Sequence, residues 1–276
     1  MTQQESQTPS GSITSPCPVC GGLRIAAFRA TVLGRYDVQY LYCRTCGLLQ
    51  TENPYWLKES YASPIAIADT GQVQRCLELA ERMIPLLLRL SEPSDRFVDW
   101  SGGTGLFARL MRDAGFDFRW HDPYTANVHA RGFEFVPESG PYRASTLFEV
   151  LEHVHDPIPF LADLFARTGV PLLFLTTELF EGNPPAPDAW PYYSFMTGQH
   201  VSFYQRRTLQ EIAARLDLYF LTGGGLHCLS REPLKPLLYR ALSHPAIRLL
   251  APLLRRRRPG LMMKDHYTLM RNSLRK

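Results

Sequence analysis

No uninterrupted apolar run in this chain approaches the roughly 20 residues that a bilayer requires, which argues against a membrane-spanning helix. The opening stretch from Met1 to Ser10 lacks the basic and apolar regions of a secretory signal, so the expected location is the cytoplasm. No internal repeat is present, and repeat architectures drop out with it. Large side chains are scarce in residues 1–16, a polar segment expected to be a disordered lead-in. Cysteines number only six, and in a chain expected to be intracellular a disulfide scaffold is disfavoured. What is abundant is apolar character: 45% of 276 residues can build a sizeable core, and the length suits one large α/β domain with a small appendage.

The net charge of +4 conceals an asymmetry. Residues 231–276 hold 12 Lys/Arg against 2 Asp/Glu, or +10, which leaves −6 for residues 1–230. Arg255 to Arg258 form the densest point, after an apolar stretch from Pro236 to Leu254 that reads as a helix interrupted at Pro245 and Pro252. Such a run is commonly a solvated helix end. The sharper reading is attraction to a phosphorylated substrate or an anionic membrane surface.

Four of the cysteines form two knuckles, Cys17-Pro18-Val19-Cys20-Gly21 and Cys43-Arg44-Thr45-Cys46-Gly47, with 22 residues between Cys20 and Cys43. Each places two thiolates on a tight turn, and together they complete a tetrahedral four-sulfur site for a structural zinc ion. The alternating, β-forming residues Tyr36 to Tyr42 suit a ribbon hairpin. Cys76 and Cys228 read as small buried residues.

Residues 17–52 are therefore expected as a zinc ribbon, 53–94 as a helical connector and 95–276 as the main domain with a basic C-terminal region at 231–276. In the connector, Val73 to Leu88 has helical spacing, with Pro85 placed to kink it. Beyond it strand and helix patterns alternate. Strands are expected at Phe97 onward, Phe116 to Trp120, Phe133 to Val136, Ser145 to Val150, Pro171 to Thr177, Tyr219 to Ser230 and His266 to Arg271. Helices are expected at Leu106 to Ala114, Asn127 to Arg131, Ile158 to Arg167 and Leu209 to Leu216. The Pro- and aromatic-rich loop from Glu181 to Gln199 is long enough to imply a function.

The sharpest chemical signal is Asp99-Trp100-Ser101-Gly102-Gly103-Thr104-Gly105, where an apolar strand ends in an acid and turns through glycines into a helix. Asp122, in His121-Asp122-Pro123, follows 23 residues later at the end of the next apolar run. This is the pattern of a nucleotide cradle: backbone and a helix N-terminus approach the ligand, and a carboxylate accepts from two vicinal ribose hydroxyls.

Together with Phe148-Glu149-Val150-Leu151-Glu152-His153-Val154 and Gly198-Gln199-His200-Val201-Ser202-Phe203-Tyr204, this set resembles the class I S-adenosylmethionine-dependent methyltransferases over roughly residues 55–276. The front ribbon is similar to that of a subset bearing a four-cysteine zinc module and often acting on sugars or other small biosynthetic intermediates. The resemblance implies a Rossmann-like α/β fold, a mostly parallel seven-stranded sheet with helices on both faces. It implies S-adenosyl-L-methionine held by Asp99, Ser101, Gly102, Gly103, Thr104 and Gly105, with Asp122 and Pro123 at the ribose and Glu149 facing the transfer cavity. Tyr61 and Asp69 to Gly71 match the segment that covers the cofactor. Two positions depart from the pattern: Ser101 replaces the usual first glycine, and Arg143 stands where an acid is common.

For the acceptor, Glu152, Trp190, Tyr192 and Tyr193 are expected to line the pocket, with His200 as first candidate for a base and His153 as second. A small-molecule acceptor is expected, and nucleic acid is not. An alternative is a zinc-ribbon nucleic-acid-binding protein whose Rossmann-like domain has lost catalysis, motivated by the basic tail and Ser101. A nicotinamide-dependent enzyme shares the glycine loop, but no second dinucleotide half is evident after the fifth strand.

Overall fold

The computed structural model describes residues 15–62 and 69–274, apart from the side chain of Ser139; most of the expected lead-in lies outside them. Strands β1 (Ser15–Pro16), β2 (Leu23–Val32), β3 (Tyr36–Cys43) and β4 (Leu49–Thr51) form an antiparallel ribbon sheet. Its β2–β3 hairpin turns where Leu33 and Gly34 both have positive φ, 52° and 70°, the mirror-image turn that matches strand twist. Helix α1 (Leu57–Ser60) and the long α2 (Gln72–Leu90) follow. Pro85 does not break α2 as its sequence suggests. Met83, Ile84, Leu86 and Leu87 are all buried beside it. At about 2 kcal/mol each, their burial outweighs the roughly 3 kcal/mol that an internal proline costs.

The main sheet starts with β5 (Arg96–Trp100), then α3 (Leu106–Asp113), β6 (Asp117–His121), β7 (Ala144–Phe148), α4 (Pro157–Thr168) and β8 (Leu172–Thr176). After a long loop come β9 (Ser202–Phe203), α5 (Arg206–Arg215), β10 (Tyr219–Gly223) and β11 (Leu226–Ser230), and then α6 (Pro236–Ser243), α7 (Ala251–Arg255) and α8 (Met262–Ser273). The strand order is β10-β11-β8-β7-β5-β6, parallel from β8 to β6 and antiparallel in the β10–β11 hairpin and its junction with β8. Side chains of α2 and α3 pack on one face and those of α4 and α5 on the other. Because β5 lies between β6 and β7, the connections leave it in opposite directions and open a crevice at the carboxyl ends of the strands. The ribbon sheet is completed by β9, which pairs antiparallel with β4.

Six strands stand where seven are expected. Phe133 to Val136 is reduced to one bridge, Trp120 to Glu134, because Pro137 at once starts a short 3₁₀ turn. The expected last strand, His266 to Arg271, is helical as part of α8. Tyr219 to Ser230, expected as a single strand, reverses fully through Gly224 and Gly225, φ 57° and 78°, so the sheet edge is filled by β10 and β11. Asn127 to Arg131 is not a helix: the Asn127 side chain accepts from the Ala130 amide at 2.9 Å and closes a turn of its own. Pro236 to Leu254 divides at the prolines, into α6, a 3₁₀ segment from Pro245 to Leu250, and α7. Among the described residues, no helix is long and apolar enough to cross a membrane.

Candidate active site and cysteine centre

The glycine turn sits at the carboxyl end of β5. Gly102 is demanded by space: a Cβ there would lie 2.5 Å from Asp99 Oδ2 and 3.1 Å from Trp120. Gly105 opens α3 with φ 83°, and a Cβ would lie 2.9 Å from Asn127 Oδ1. Asp99 is buried beneath the turn; its Oδ1 accepts from Thr146 Oγ1 at 2.8 Å, while Oδ2 has no partner. Burial pushes this carboxyl up to about 7 despite that hydrogen bond.

The loop amides, expected to point at a ligand, are partly committed to the protein. Gly102 N–H donates to His121 O at 3.1 Å and Gly105 N–H to Gly102 O at 3.0 Å. Gly103 N–H donates to Asp122 Oδ2 at 2.9 Å. The glycines thus supply close approach rather than these donors. Asp122 Oδ1 accepts from the amides of Tyr124 and Thr125, both at 2.8 Å. With three of about four acceptor directions used, the carboxylate has room for about one further hydroxyl, fewer than the two expected. Ser101 takes the left-handed conformation, φ 57°, and Glu149, just past β7, does the same at 53°. Non-glycine residues in the left-handed region thus stand at two neighbouring strand ends that face the crevice. Arg143 lies at the opposite end of β7, paired with Glu232 at 2.7 Å and donating to Leu90 O at 2.8 Å, so its departure from the acidic pattern leaves the crevice untouched.

Beyond Glu149 the chain makes a short turn that carries Glu152 and His153 to meet His200, with ligand-type atoms of the three within 4.8 Å of one another. Glu152 is fully buried and neither carboxylate oxygen has a hydrogen-bond partner. Burial, with Glu149 adding to it, raises this carboxyl to about 8, against the influence of the nearby Tyr192 and Thr177 hydroxyls. Burial lowers His200 to about 4, and burial with the His200 neighbour lowers His153 to about 3. At neutral pH the cluster therefore keeps its proton on Glu152 and both imidazoles neutral. His200 Nδ1 lies 2.6 Å from Tyr192 O and donates to it, leaving Nε2 as the acceptor nitrogen. His153 Nδ1 lies 3.1 Å from Gln199 O and 2.9 Å from the Tyr61 hydroxyl. This places Tyr61, ahead of the first long helix, over the cluster.

A cleft of about 280 Å³ opens beside these groups, lined by Arg75, Arg82, Glu149, Thr177, Glu178 and Tyr192 among others. Tyr192 hydroxyl sits 3.1 Å from Thr177 Oγ1 and accepts from the Glu178 amide at 3.0 Å. Trp190 donates to Glu178 Oε1 at 2.6 Å. Tyr193, expected as a pocket wall, is instead 1% exposed, donates to Pro185 O at 2.7 Å and packs with Phe28, Tyr40 and Phe203 in the core under the ribbon sheet. Its neighbours there come from β2, β3 and β9, which no local pattern announces. Thr146 and Thr177 carry no such signal in the sequence; Thr146 matters through Asp99 and Thr177 through Tyr192. Pro123 and Thr104 lie beside the Asp122 acceptor turn, where Thr104 O accepts from the Val128 and His129 amides, each at 3.0 Å.

The four cysteines of the knuckles come together, Cys17 Sγ 3.6 Å from Cys46 Sγ and Cys20 Sγ 3.4 Å from Cys43 Sγ, all within 4.8 Å. These separations exceed a disulfide bond and approach the roughly 3.8 Å between thiolates around a tetrahedral zinc ion. Glycines 21 and 47, φ 75° and 83°, turn the chain under the sulfurs. The knuckle carbonyls are held by α5: Thr208 Oγ1 donates to Cys46 O at 2.8 Å and Arg215 to Cys20 O at 2.7 Å.

Residues 74–222, more than half of the chain, match the family described as a methyltransferase domain. No curated protein matches the chain. Among solved structures, TnmH is 17% identical with a TM-score of 0.47, the match covering 64% of this chain and 61% of TnmH. CalO1, a methyltransferase in calicheamicin biosynthesis solved in an SAH-bound form, is 13% identical with a TM-score of 0.37, covering 54% of this chain and 53% of CalO1. An O-methyltransferase family protein from Burkholderia thailandensis is 14% identical with a TM-score of 0.43, covering 65% and 68%. The chain thus spans less than two thirds of the length of TnmH and CalO1. With the family match lying across the glycine turn, the acidic strand end and the Glu152–His153–His200 cluster, the chain belongs to the methyltransferase-domain family.

Proposed function

We propose that the protein transfers a methyl group from S-adenosyl-L-methionine to a small biosynthetic acceptor, a sugar, nucleotide sugar or related metabolite. The observation that carries this reading is convergence: the β5 turn, Asp122 beyond β6, Glu149 beyond β7 and the buried Glu152–His153–His200 cluster all occupy the same end of one sheet. The residues fit the cofactor. Glycine at 102 and 105 lets the turn close down on Asp99 and Asn127, where a Cβ would clash, and Asp122 retains a free acceptor direction for a ribose hydroxyl. Ser101, Gly103, Thr104 and Pro123 complete the walls, with Tyr61 covering them. S-adenosylmethionine, when bound, supplies an electrophilic methyl on a sulfonium.

The protein's part is alignment, exclusion of water and removal of a proton from the acceptor. His200 is the base in this reading: its Nδ1 is anchored on Tyr192 O and burial keeps the ring neutral, so Nε2 takes the acceptor's hydroxyl proton as the methyl arrives. His153 braces His200 edge-on, ring centroids 4.8 Å apart, and Glu152 lies beside the imidazolium so formed. Trp190 and Tyr192 supply the aromatic wall. Residues 17–52 act as a zinc ribbon, 53–94 as connector and lid, and 95–276 as the transfer domain; the sulfur geometry fits structural zinc through Cys17, Cys20, Cys43 and Cys46.

Calorimetric titration with S-adenosylmethionine tests the reading. Wild type is expected to bind, Asp122→Asn to bind more weakly while keeping the loop closed, and Asp122→Ala to bind least because the Gly103, Tyr124 and Thr125 amides lose their acceptor. Absence of binding by the wild type, or full affinity in Asp122→Ala, would overturn it.

A further inference from the structure

More than half of the large apolar side chains exposed among the described residues fall between Leu237 and Leu274. On α8 they are ordered. Met263, Tyr267 and Met270, with Leu274 just past the helix end, recur at i, i+4, i+7 and i+11, the spacing of one helical stripe, and are 51%, 58%, 51% and 81% exposed. The opposite side of the helix is fixed. Asp265, buried and about 170° around the helix from the stripe at 100° per residue, accepts from Arg112 Nε and Nη2 at 2.8 and 2.7 Å and pairs with Arg109 at 2.9 Å. Leu261 N–H donates to Arg112 O at 3.0 Å, and Leu269 fills the space over Gly132. The helix is thus clamped with its apolar stripe outward.

Basic side chains border this stripe. Lys264 and Arg271 are exposed along one edge of it. Arg255, Arg256 and Arg257 are exposed five to seven residues before Met262, at most about 24 Å of extended chain away. Arg258 differs: it is buried over the Phe116 ring at 4.5 Å and donates to Ser91 O at 3.1 Å, so the expected run of four available arginines is a run of three. Leu249 and Leu253, 76% and 65% exposed, precede these arginines in the chain.

We propose that this C-terminal face, centred on α8, docks the protein on an anionic lipid surface, with the Met263–Tyr267–Met270–Leu274 stripe entering the headgroup boundary and Arg255 to Arg257, Lys264 and Arg271 meeting the negative headgroups. A second copy of the chain is the weaker occupant. A two-fold contact places the same patch of both subunits together, and the region carries +10 with 12 Lys/Arg against 2 Asp/Glu. Negative headgroups remove that repulsion; a second subunit doubles it.

The test is co-sedimentation of the full chain with vesicles of neutral phosphatidylcholine, and of phosphatidylcholine with about one third phosphatidylglycerol, alongside analytical ultracentrifugation without lipid. The proposal expects binding to the anionic vesicles only. Arg255→Gln/Arg256→Gln/Arg257→Gln is expected to weaken it about fivefold per charge removed, and Met263→Glu/Met270→Glu to abolish it. Both variants should keep the wild-type melting temperature, since the altered side chains point to solvent. No association with anionic vesicles at low salt would overturn the proposal. So would a dimer dissolved by Met263→Glu/Met270→Glu, which assigns the stripe to a second copy, or vesicle binding unchanged by that variant, which reduces the contact to unspecific charge. Salt-sensitive binding of RNA with no vesicle binding overturns it equally.

Discussion

Replacing Glu152 by Gln should change how stability depends on pH, and the size of the change follows from the geometry. The folded protein holds this proton up to about pH 8, whereas the unfolded chain releases it in the ordinary carboxylate range. The folded state therefore binds more protons between those limits, and this group makes the protein less stable as pH rises through them. His153 and His200 work in the opposite sense. Their folded values, about 3 and about 4, lie below the free imidazole, so they add stability with rising pH until about 6.5 and nothing above it. Asp99 acts in the same sense as Glu152 up to about 7, and it is common to the wild type and Glu152→Gln, so the difference between the two proteins isolates Glu152. At about 1.4 kcal/mol per pH unit, the interval from 6.5 to 8 is worth about 2 kcal/mol. Urea denaturation at pH 6.5, 7.2 and 8.0 is expected to show the wild type losing about 2 kcal/mol relative to Glu152→Gln over that interval, the amide being unable to ionise. Parallel stability curves would refute the burial of an unpaired carboxyl at this position.

Ser101→Gly should stabilise the protein by about 1 kcal/mol in thermal unfolding, since relief of the left-handed serine exceeds the entropy gained by the unfolded glycine chain. Asp265→Ala leaves Arg112 buried with one partner fewer and should cost about 3 kcal/mol, read as a lowered denaturation midpoint. Metal analysis is expected to give about one zinc per chain, lost with stability in Cys43→Ser; a metal-free and equally stable protein would refute the structural site.

What could be read from sequence was local. The knuckles and the glycine turn declare themselves because a few adjacent residues fix both their backbone and their chemistry. What could not be read was decided by residues far apart. Asp122, expected at the ribose, also spends its carboxylate on the Gly103 amide and its own turn, and so closes the glycine loop. Met262 to Ser273 has strand-forming residues in part, yet it is a helix because Asp265 and Leu269 are captured by Arg112, Arg109 and Gly132. Tyr193 sits in an aromatic-rich loop like its neighbours Trp190 and Tyr192, and only the approach of β2, β3 and β9 withdraws it from the cleft.

The pairing of β4 with β9 has a consequence for synthesis. The Gln50 side chain reaches Ser202 Oγ, 152 residues along the chain, at 3.0 Å, and the two strands bond there. As the chain leaves the ribosome, β4 must wait as an open sheet edge until most of the second sheet has been made. Cysteine knuckles that gather early would hold the ribbon in shape during that interval, and the chain's most aggregation-exposed moment would end when residues 202–203 arrive.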